Sequence, residues 1–186
     1  MDISYGSLAT HKFVTNVGLI TSNGIYGNNI MACELTHLIS YSPGLIAISV
    51  SKDSATNNNI KKTKEFGVNL ASIAQNSLSS LSGRFSGEEH DKISGLKKLG
   101  FQFYQGSKIK CLMIKDAALN VECKVIKAID LKEYTLFIGE ALAINVSDNQ
   151  PLAYHQGNYW KLTEQLPKPT EEERQKQREV MDEFRR

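Results

Sequence analysis

Short apolar runs rich in β-branched residues recur along the chain, at residues 17–21, 30–35, 45–50, 67–71, 111–114, 119–129 and 135–146, with smaller pieces at 152–154 and 159–162. Gly, Asn, Ser and Asp separate them, and runs of this length bounded by turn formers read as strands. Within 119–129, Leu119, Val121, Cys123 and Val125 alternate with Asn120, Glu122 and Lys124. That period of two belongs to a strand with one buried face. So many short strands predict a mainly β, largely antiparallel chain, closed as a barrel or stacked as a sandwich, with helices at its periphery. Helical spacing is confined to 56–66, 73–81, 91–99 and the C-terminal end. Gly67 and Gly100 stand where left-handed residues would end the first and third of these helices.

From Pro167 onward the pattern becomes almost wholly polar. Thr170 and Glu173 are spaced as a capping box, and Glu172 and Lys176 as an i,i+4 pair, so this end should be helical. Only Val180, Met181 and Phe184 offer an apolar patch. The helix either lies in solvent or docks its last turns on a partner subunit. Residues 1–166 therefore read as one domain and 167–186 as a charged helical appendage, since 186 residues supply one proper core.

Composition narrows the function classes. Twenty-two basic and 20 acidic side chains leave a formal charge of +2, which gives no charge-driven groove for nucleic acid and no basic surface for a membrane. No run approaches the roughly 18 apolar residues of a membrane helix, and the first 18 residues lack the basic-then-apolar order of a secretory signal. A cytoplasmic protein is expected. Cys33, Cys111 and Cys123 are odd in number and lie in strand-like runs, which suits reduced core thiols. Cys33 and His37 could ligate a metal, but no second pair accompanies them, and no metal site is expected.

Four segments carry candidate chemistry. In "KDSATNNNIKKTKEFGVN" a helix start follows strand 45–50, with Ser51, Ser54 and Thr56 around it. Unpaired amides and the positive end of the helix dipole make such a start an anion site, unless Ser54 or Thr56 simply caps it. In "TSNGIYGNNIMAC", Asn28 suits a turn, while Asn29 opens the next strand, where its amide could face a ligand. "SGRFSGEEHDKISGL" has three glycines, with Glu88, Glu89 and His90 after the second. It reads as a solvated turn, an acid/base or metal cluster, or a lid. "PLAYHQGNYWKL" sets His155, Tyr159 and Trp160 around a turn, as barrel packing, as an interface, or beside a cofactor.

In this order the four segments resemble the flavin reductase-like family of FMN-binding split barrels, over about residues 11–162. "LITSNGIYGNNIMAC" is similar to the family's strand, Gly/Asn turn and Asn-initiated strand. "SVSKDSATNNNIKKTKEFGVNL" is similar to its phosphate segment, with T-x-x-N-I as Thr56, Asn59 and Ile60. "HDKI" resembles its D-K-F motif, and "LFIGEALAI" with "PLAYHQGNYWKL" its closing strands. The resemblance implies an antiparallel, Greek-key split β-barrel that binds FMN, or FAD, with NAD(P)H as co-substrate. It implies that Asn29 and the backbone of Ile30, Met31, Ala32 and Cys33 flank the isoalloxazine. Ser49, Val50, Ser51, Ser54 and Thr56 would reach the ribityl chain and phosphate, and Lys92 would neutralise the phosphate or approach from the lid. It further implies a homodimer with its flavins near the interface, and a monooxygenase or another electron-acceptor protein as partner. Leu35 stands where many relatives have an aromatic residue. Tyr134 stands where many have a His before the T-L-F-I-G strand, so Tyr134 or His155 would take that place beside the nicotinamide. Two functions stay open: an NAD(P)H-dependent flavin reductase, with ferric reductase chemistry as a variant, and a non-enzymatic FMN electron carrier.

Overall fold

A computed structural model of the protein describes residues 3–185. Its strands are β1 (Val14–Asn16), β2 (Gly18–Ser22), β3 (Asn29–Cys33), β4 (Thr36–Tyr41), β5 (Gly44–Ser51) and β6 (Glu65–Leu70). Beyond these come β7 (Phe103–Gln105), β8 (Leu112–Ile114), β9 (Leu119–Asp130), β10 (Tyr134–Val146), β11 (Leu152–His155) and β12 (Asn158–Lys161). The helices are α1 (Ala55–Thr63), α2 (Asn76–Arg84), α3 (Lys92–Lys98) and α4 (Glu171–Asp182). Seven strands form one antiparallel sheet in the order β3-β2-β6-β9-β10-β5-β4.

The edge strands β3 and β4 are consecutive in the chain, joined only by Glu34 and Leu35. A connection of that length spans about 10 Å, so the sheet must roll until its two edges face each other. Leu35 O accepts from the Ser49 amide at 3.0 Å and the Cys33 thiol donates to Ser49 O at 3.4 Å. No ladder joins β3 to β4 or β5. The roll is therefore a barrel left open along one seam, which is the expected mainly β, antiparallel class.

Period-two side chains fill the roll: Ile20, Ile46, Ile48, Val50, Phe66, Val121 and Phe137 make one buried cluster. A second core lies on the outside of β2 and β3, where Leu19 and Ile30 meet Leu78 of α2, Ile93 and Leu96 of α3, and Leu152 of β11. Both faces of β2 are consequently buried.

The structure departs from the sequence reading at definite places. Strands β1, β4 and β7 lie outside the apolar runs: β1 and β7 have three residues each, and Thr-His-Leu-Ile-Ser-Tyr of β4 has no alternation because the strand is an exposed edge. Helix α1 ends at Thr63, and its left-handed C-terminal residue is Lys64 (φ 60°, ψ 28°), not Gly67. Gly67 instead lies in β6, where a Cβ would collide with Thr21 Oγ1 and stand 2.6 Å from Met113 Sδ. Gly100 does close α3 at φ +95°: it donates to Lys97 O, and Phe101 donates to Leu96 O, the paired bonds of a Schellman end. β9 keeps its inward alternation, yet Asn120 and Glu122 are buried too, because the 105–111 loop covers that face. β11 and β12 do not close the barrel; with β1 they form a separate three-stranded sheet, bridged to the body at Ser72 and Pro151.

The Thr170–Glu173 capping box is formed. Glu172 and Lys176 do not pair; Glu171 takes Arg174 at 3.4 Å and Arg178 at 2.6 Å instead. α4 buries no residue. Among the described residues no helix is long and apolar enough to cross a membrane.

Candidate functional site

Strand β5 runs into the turn that starts α1, and this turn is built largely from side chain to backbone bonds. Ser54 caps the helix: its Oγ accepts from the Asn57 amide at 3.2 Å and donates to Ser51 O at 2.8 Å. Its hydroxyl proton is thus committed to the backbone. Asn57 ties α1 to β5 through Val50 O at 3.1 Å, and Asn59 grips the β2–β3 turn through Gly27 O at 2.9 Å and the Tyr26 amide at 3.0 Å. Thr56 Oγ1 accepts from Asn29 Nδ2 at 2.9 Å, which joins α1 to the far edge strand.

What remains is a set of unused donors. The amides of Ala55 and Thr56 have no partner among the described residues, and Thr56 donates its hydroxyl proton to none of them. Lys52 stands in the same turn, its amide held by Glu133 O at 3.0 Å, and Ser51 faces Tyr134 across the β5–β10 ladder. Amides at a helix start, a spare hydroxyl and an ammonium match the acceptor oxygens of a phosphate. Asp53, exposed, is the one carboxylate in the turn. The donor set fits a phosphorylated cofactor.

The other expected site residues fall into groups. Ser49 and Ser51 lie half-buried on the outer face of β5, whereas the Val50 side chain is in the core and offers only its carbonyl. Asn29 does not face an open edge: it is 3% exposed, and a Cβ at Gly87 would collide with its Oδ1. The 85–91 loop therefore closes over Asn29. Ile30 is core, Met31 packs on the barrel interior, and Ala32 and Cys33 line a cavity behind β3. Burial pushes the Cys33 thiol up.

Lys92 is turned toward α2. Its Nζ donates to Ser82 O in the last turn of α2 at 3.1 Å, a cation at the negative end of a helix, and burial lowers its pKa to about 8. His155 sits on β11, its Nδ1 3.1 Å from Phe13 O and its ring against Trp160, away from β5 and α1. Tyr134 is beside Ser51 and half-exposed. Glu88, Glu89 and His90 form no metal site, and His37 is exposed while Cys33 is buried. The Glu88 carboxylate beside Tyr26 holds that phenol above its usual range.

A cavity of about 420 Å³ lies between β3, α2 and the β11–β12 hairpin, and an adjoining one of about 500 Å³ lies between the N-terminal segment, β1, the β3–β4 link and the β11–β12 turn. They share Tyr154, whose phenol is pushed up to about 12 by burial and by its bond to Tyr5.

Residues 10–163 match the family described as flavin reductase like domain. The chain belongs to the flavin reductase-like family. It is 29% identical over 116 residues to a ferric-chelate reductase (NAD(P)H) of Archaeoglobus fulgidus, covering 60% of this chain and 64% of that one. Its fold is similar to flavoredoxin from Methanosarcina acetivorans, at a TM-score of 0.77 and 23% identity over 92% of this chain and 95% of the other. It is also similar to the flavin reductase PheA2, at a TM-score of 0.73 and 26% identity over 88% and 100%. The NADH:FAD oxidoreductase SgcE6 of Streptomyces globisporus C-1027, solved with NAD and FAD fragments, shares the fold at a TM-score of 0.73 and 18% identity over 83% and 89%.

Within this family member, sequence reasoning named Asn59 only as part of the T-x-x-N-I segment and missed Asn57, so the residues that build the site rather than line it went without a role. Asn57 and Asn59 are both fully buried. The clue was available: three consecutive Asn are poor helix formers, so their presence in a helix signals work for the side chains. Gly87 gave no such clue, because only the folded loop brings it onto Asn29.

Proposed function

We propose that this protein is an FMN-dependent flavin oxidoreductase that takes hydride from NAD(P)H for onward electron delivery. The observation that carries this reading is the α1 start, where the free amides of Ala55 and Thr56 stand beside the Thr56 hydroxyl, after the turn that begins at Lys52, in a member of the flavin reductase-like family. These groups would hold the FMN phosphate, with Ser51 and Ser49 along the ribityl chain and the backbone of Ile30 to Cys33 beside the ring. Bound FMN would supply the redox chemistry, accepting a hydride and releasing two electrons to an acceptor. The chain's part is to bind, orient and shield, so a constellation of acid/base side chains is not required. Tyr134, next to Ser51, is the side chain closest in register for contacting a nicotinamide.

A second copy of the chain is the natural cover for the outer sheet face, where Ile126 and Ile129 of β9 and Leu142 of β10 stay exposed on paired strands. Three reduced, buried thiols suit a cytoplasmic setting. The carrier reading is favoured by Tyr134 where relatives have a His, and a protein acceptor such as a monooxygenase serves either reading.

The absorption spectrum of the purified protein with added FMN, followed by rapid mixing with NADH and NADPH, tests both. Bound flavin that bleaches on mixing supports the reductase. Bound flavin that neither nucleotide bleaches leaves the carrier, and protein that refuses FMN at high concentration removes the proposal.

A further inference from the structure

The β2–β3 turn carries an isoleucine that neither the core nor the cofactor reading uses. Ile25 is 67% exposed, set among the turn formers Asn23, Gly24, Gly27 and Asn28. A solitary surface isoleucine is ordinary, but this one is held on a braced backbone. Asn59 of α1 accepts from the Tyr26 amide at 3.0 Å and donates to Gly27 O at 2.9 Å, and a Cβ at Gly24 would stand 2.9 Å from Asn59 Cα. On the other side, Asn23 Nδ2 donates to Lys110 O at 3.2 Å. The turn is thus pinned both to α1 and to the 105–111 loop.

These two attachments also set lysines around it. Lys62 follows Asn59 by three residues and so lies one turn along the same face of α1, with Lys64 just beyond. Lys108 and Lys110 come from the loop. All four are exposed, and none makes an ion pair among the described residues. The carboxylates beside them are committed to backbone: Glu65 Oε2 accepts from the Lys110 amide at 2.9 Å, and the buried Glu122 accepts from the Ser107, Lys108 and Ile109 amides. Lys61 has Asp130 at 3.5 Å, and Lys124 stands between Glu65 and Glu140 in its ladders, so both are locally balanced. Beyond Tyr26 the surface turns acidic at Glu88 and Glu89. An apolar side chain with a basic border on one side therefore projects from a chain whose formal charge is only +2.

We propose that this surface docks a protein partner that presents carboxylates around an apolar contact, the lysines meeting the carboxylates and Ile25 the apolar contact. The border has no arginine to grip phosphates in pairs and no aromatic ring free for stacking, as a nucleic-acid surface would. A single isoleucine is not the broad apolar face that a lipid surface takes up. Unpaired lysines at the rim steer an acidic partner, and the change of sign at Glu88 fixes its orientation. The braced turn lowers the ordering cost of docking. None of this depends on the flavin reading.

The test is fluorescence anisotropy of a labelled oligoglutamate peptide with a central leucine, titrated with the purified full-length protein, beside an all-glutamate peptide of equal length. The leucine peptide is expected to bind more tightly than the other, and both to weaken as salt is raised. Lys62→Glu with Lys110→Glu should weaken the leucine peptide at least about tenfold, and Ile25→Ser should bring it down to the all-glutamate peptide. Lys161→Glu with Lys168→Glu, the same charge change on and after β12, should leave its Kd within about twofold. All these side chains are exposed, so melting and FMN retention should not change, and if the first pair misfolds, Ile25→Ser decides the matter by itself. No binding at low salt, an equal loss in the Lys161 and Lys168 variant, or an affinity indifferent to Ile25→Ser would each overturn the surface. Tighter binding of duplex DNA or of phosphatidylserine vesicles, lost with Lys62→Glu and Lys110→Glu, would overturn the protein partner.

Discussion

Replacing Thr56 by Val separates a structural role of the α1 start from a ligand-binding one. Thr56 is 1% exposed and Val matches its shape, so packing is retained while the hydroxyl is lost. Asn29 Nδ2, itself buried, then loses the acceptor it now has at 2.9 Å. A buried donor left unpaired costs about 1–3 kcal/mol, and at about 2–4 °C per kcal/mol for a chain of this size Tm should fall by about 2–12 °C. The same substitution removes one donor to a charged phosphate, worth about 1.5–3 kcal/mol, so the Kd for FMN should rise about 10–100-fold. Calorimetric melting reads the first quantity and quenching of flavin fluorescence reads the second. Thr56→Ser, which keeps the hydroxyl, should restore FMN affinity. A Thr56→Val protein whose Tm falls as calculated but whose FMN affinity is unchanged would refute the reasoning, because the hydroxyl would then serve only to brace Asn29.

Other expectations follow from buried groups. Burial alone would raise the Glu122 carboxyl, but the amides of Ser107, Lys108 and Ile109 and the Ser107 hydroxyl donate to it and hold it below its usual range. With its folded pKa depressed, it contributes stability that is complete above the unfolded carboxyl pKa of about 4.3 and is lost as pH falls through the lower folded value. Glu122→Gln should therefore lower stability at neutral pH by about 2–3 kcal/mol and flatten the acid limb of the Tm–pH curve; an unchanged limb would show that the clamp contributes nothing. Gly139→Ala sets a methyl against the Phe66 ring and 2.9 Å from Cys123 Cβ, so denaturant melting should show a loss of about 1–3 kcal/mol, and a neutral result would mean the core yields there. Cys111 and Cys123 are pushed up to about 12 by burial, and thiol reagents at mildly alkaline pH should label them only after unfolding. Removing residues 167–186, of which α4 buries none, should leave Tm within about 1 °C; a larger fall would mean that the tail docks on a partner subunit.

The apolar runs and the turn formers between them determined most of the strands, their mainly antiparallel class and, within a residue, the start of the helix that opens at Ala55, because side-chain period and turn chemistry are local properties. The capping box at Thr170 and the left-handed stop at Gly100 were legible for the same reason. Edge strand β4 was not, since a half-exposed strand needs no alternation. Hydroxyls and amides at the α1 start could be named from their order, but not their allotment. Ser54 is bound to its own backbone, Lys92 is drawn to the end of α2, and Asn29 is roofed by Gly87, and each of these depends on segments distant in the chain. The roll of the sheet, imposed by the two-residue link between its opposite edges, is what sets β3 against α1 and β5. Partners separated by tens of residues meet only through that closure, so which donors remain free for a ligand is a property of the tertiary structure alone.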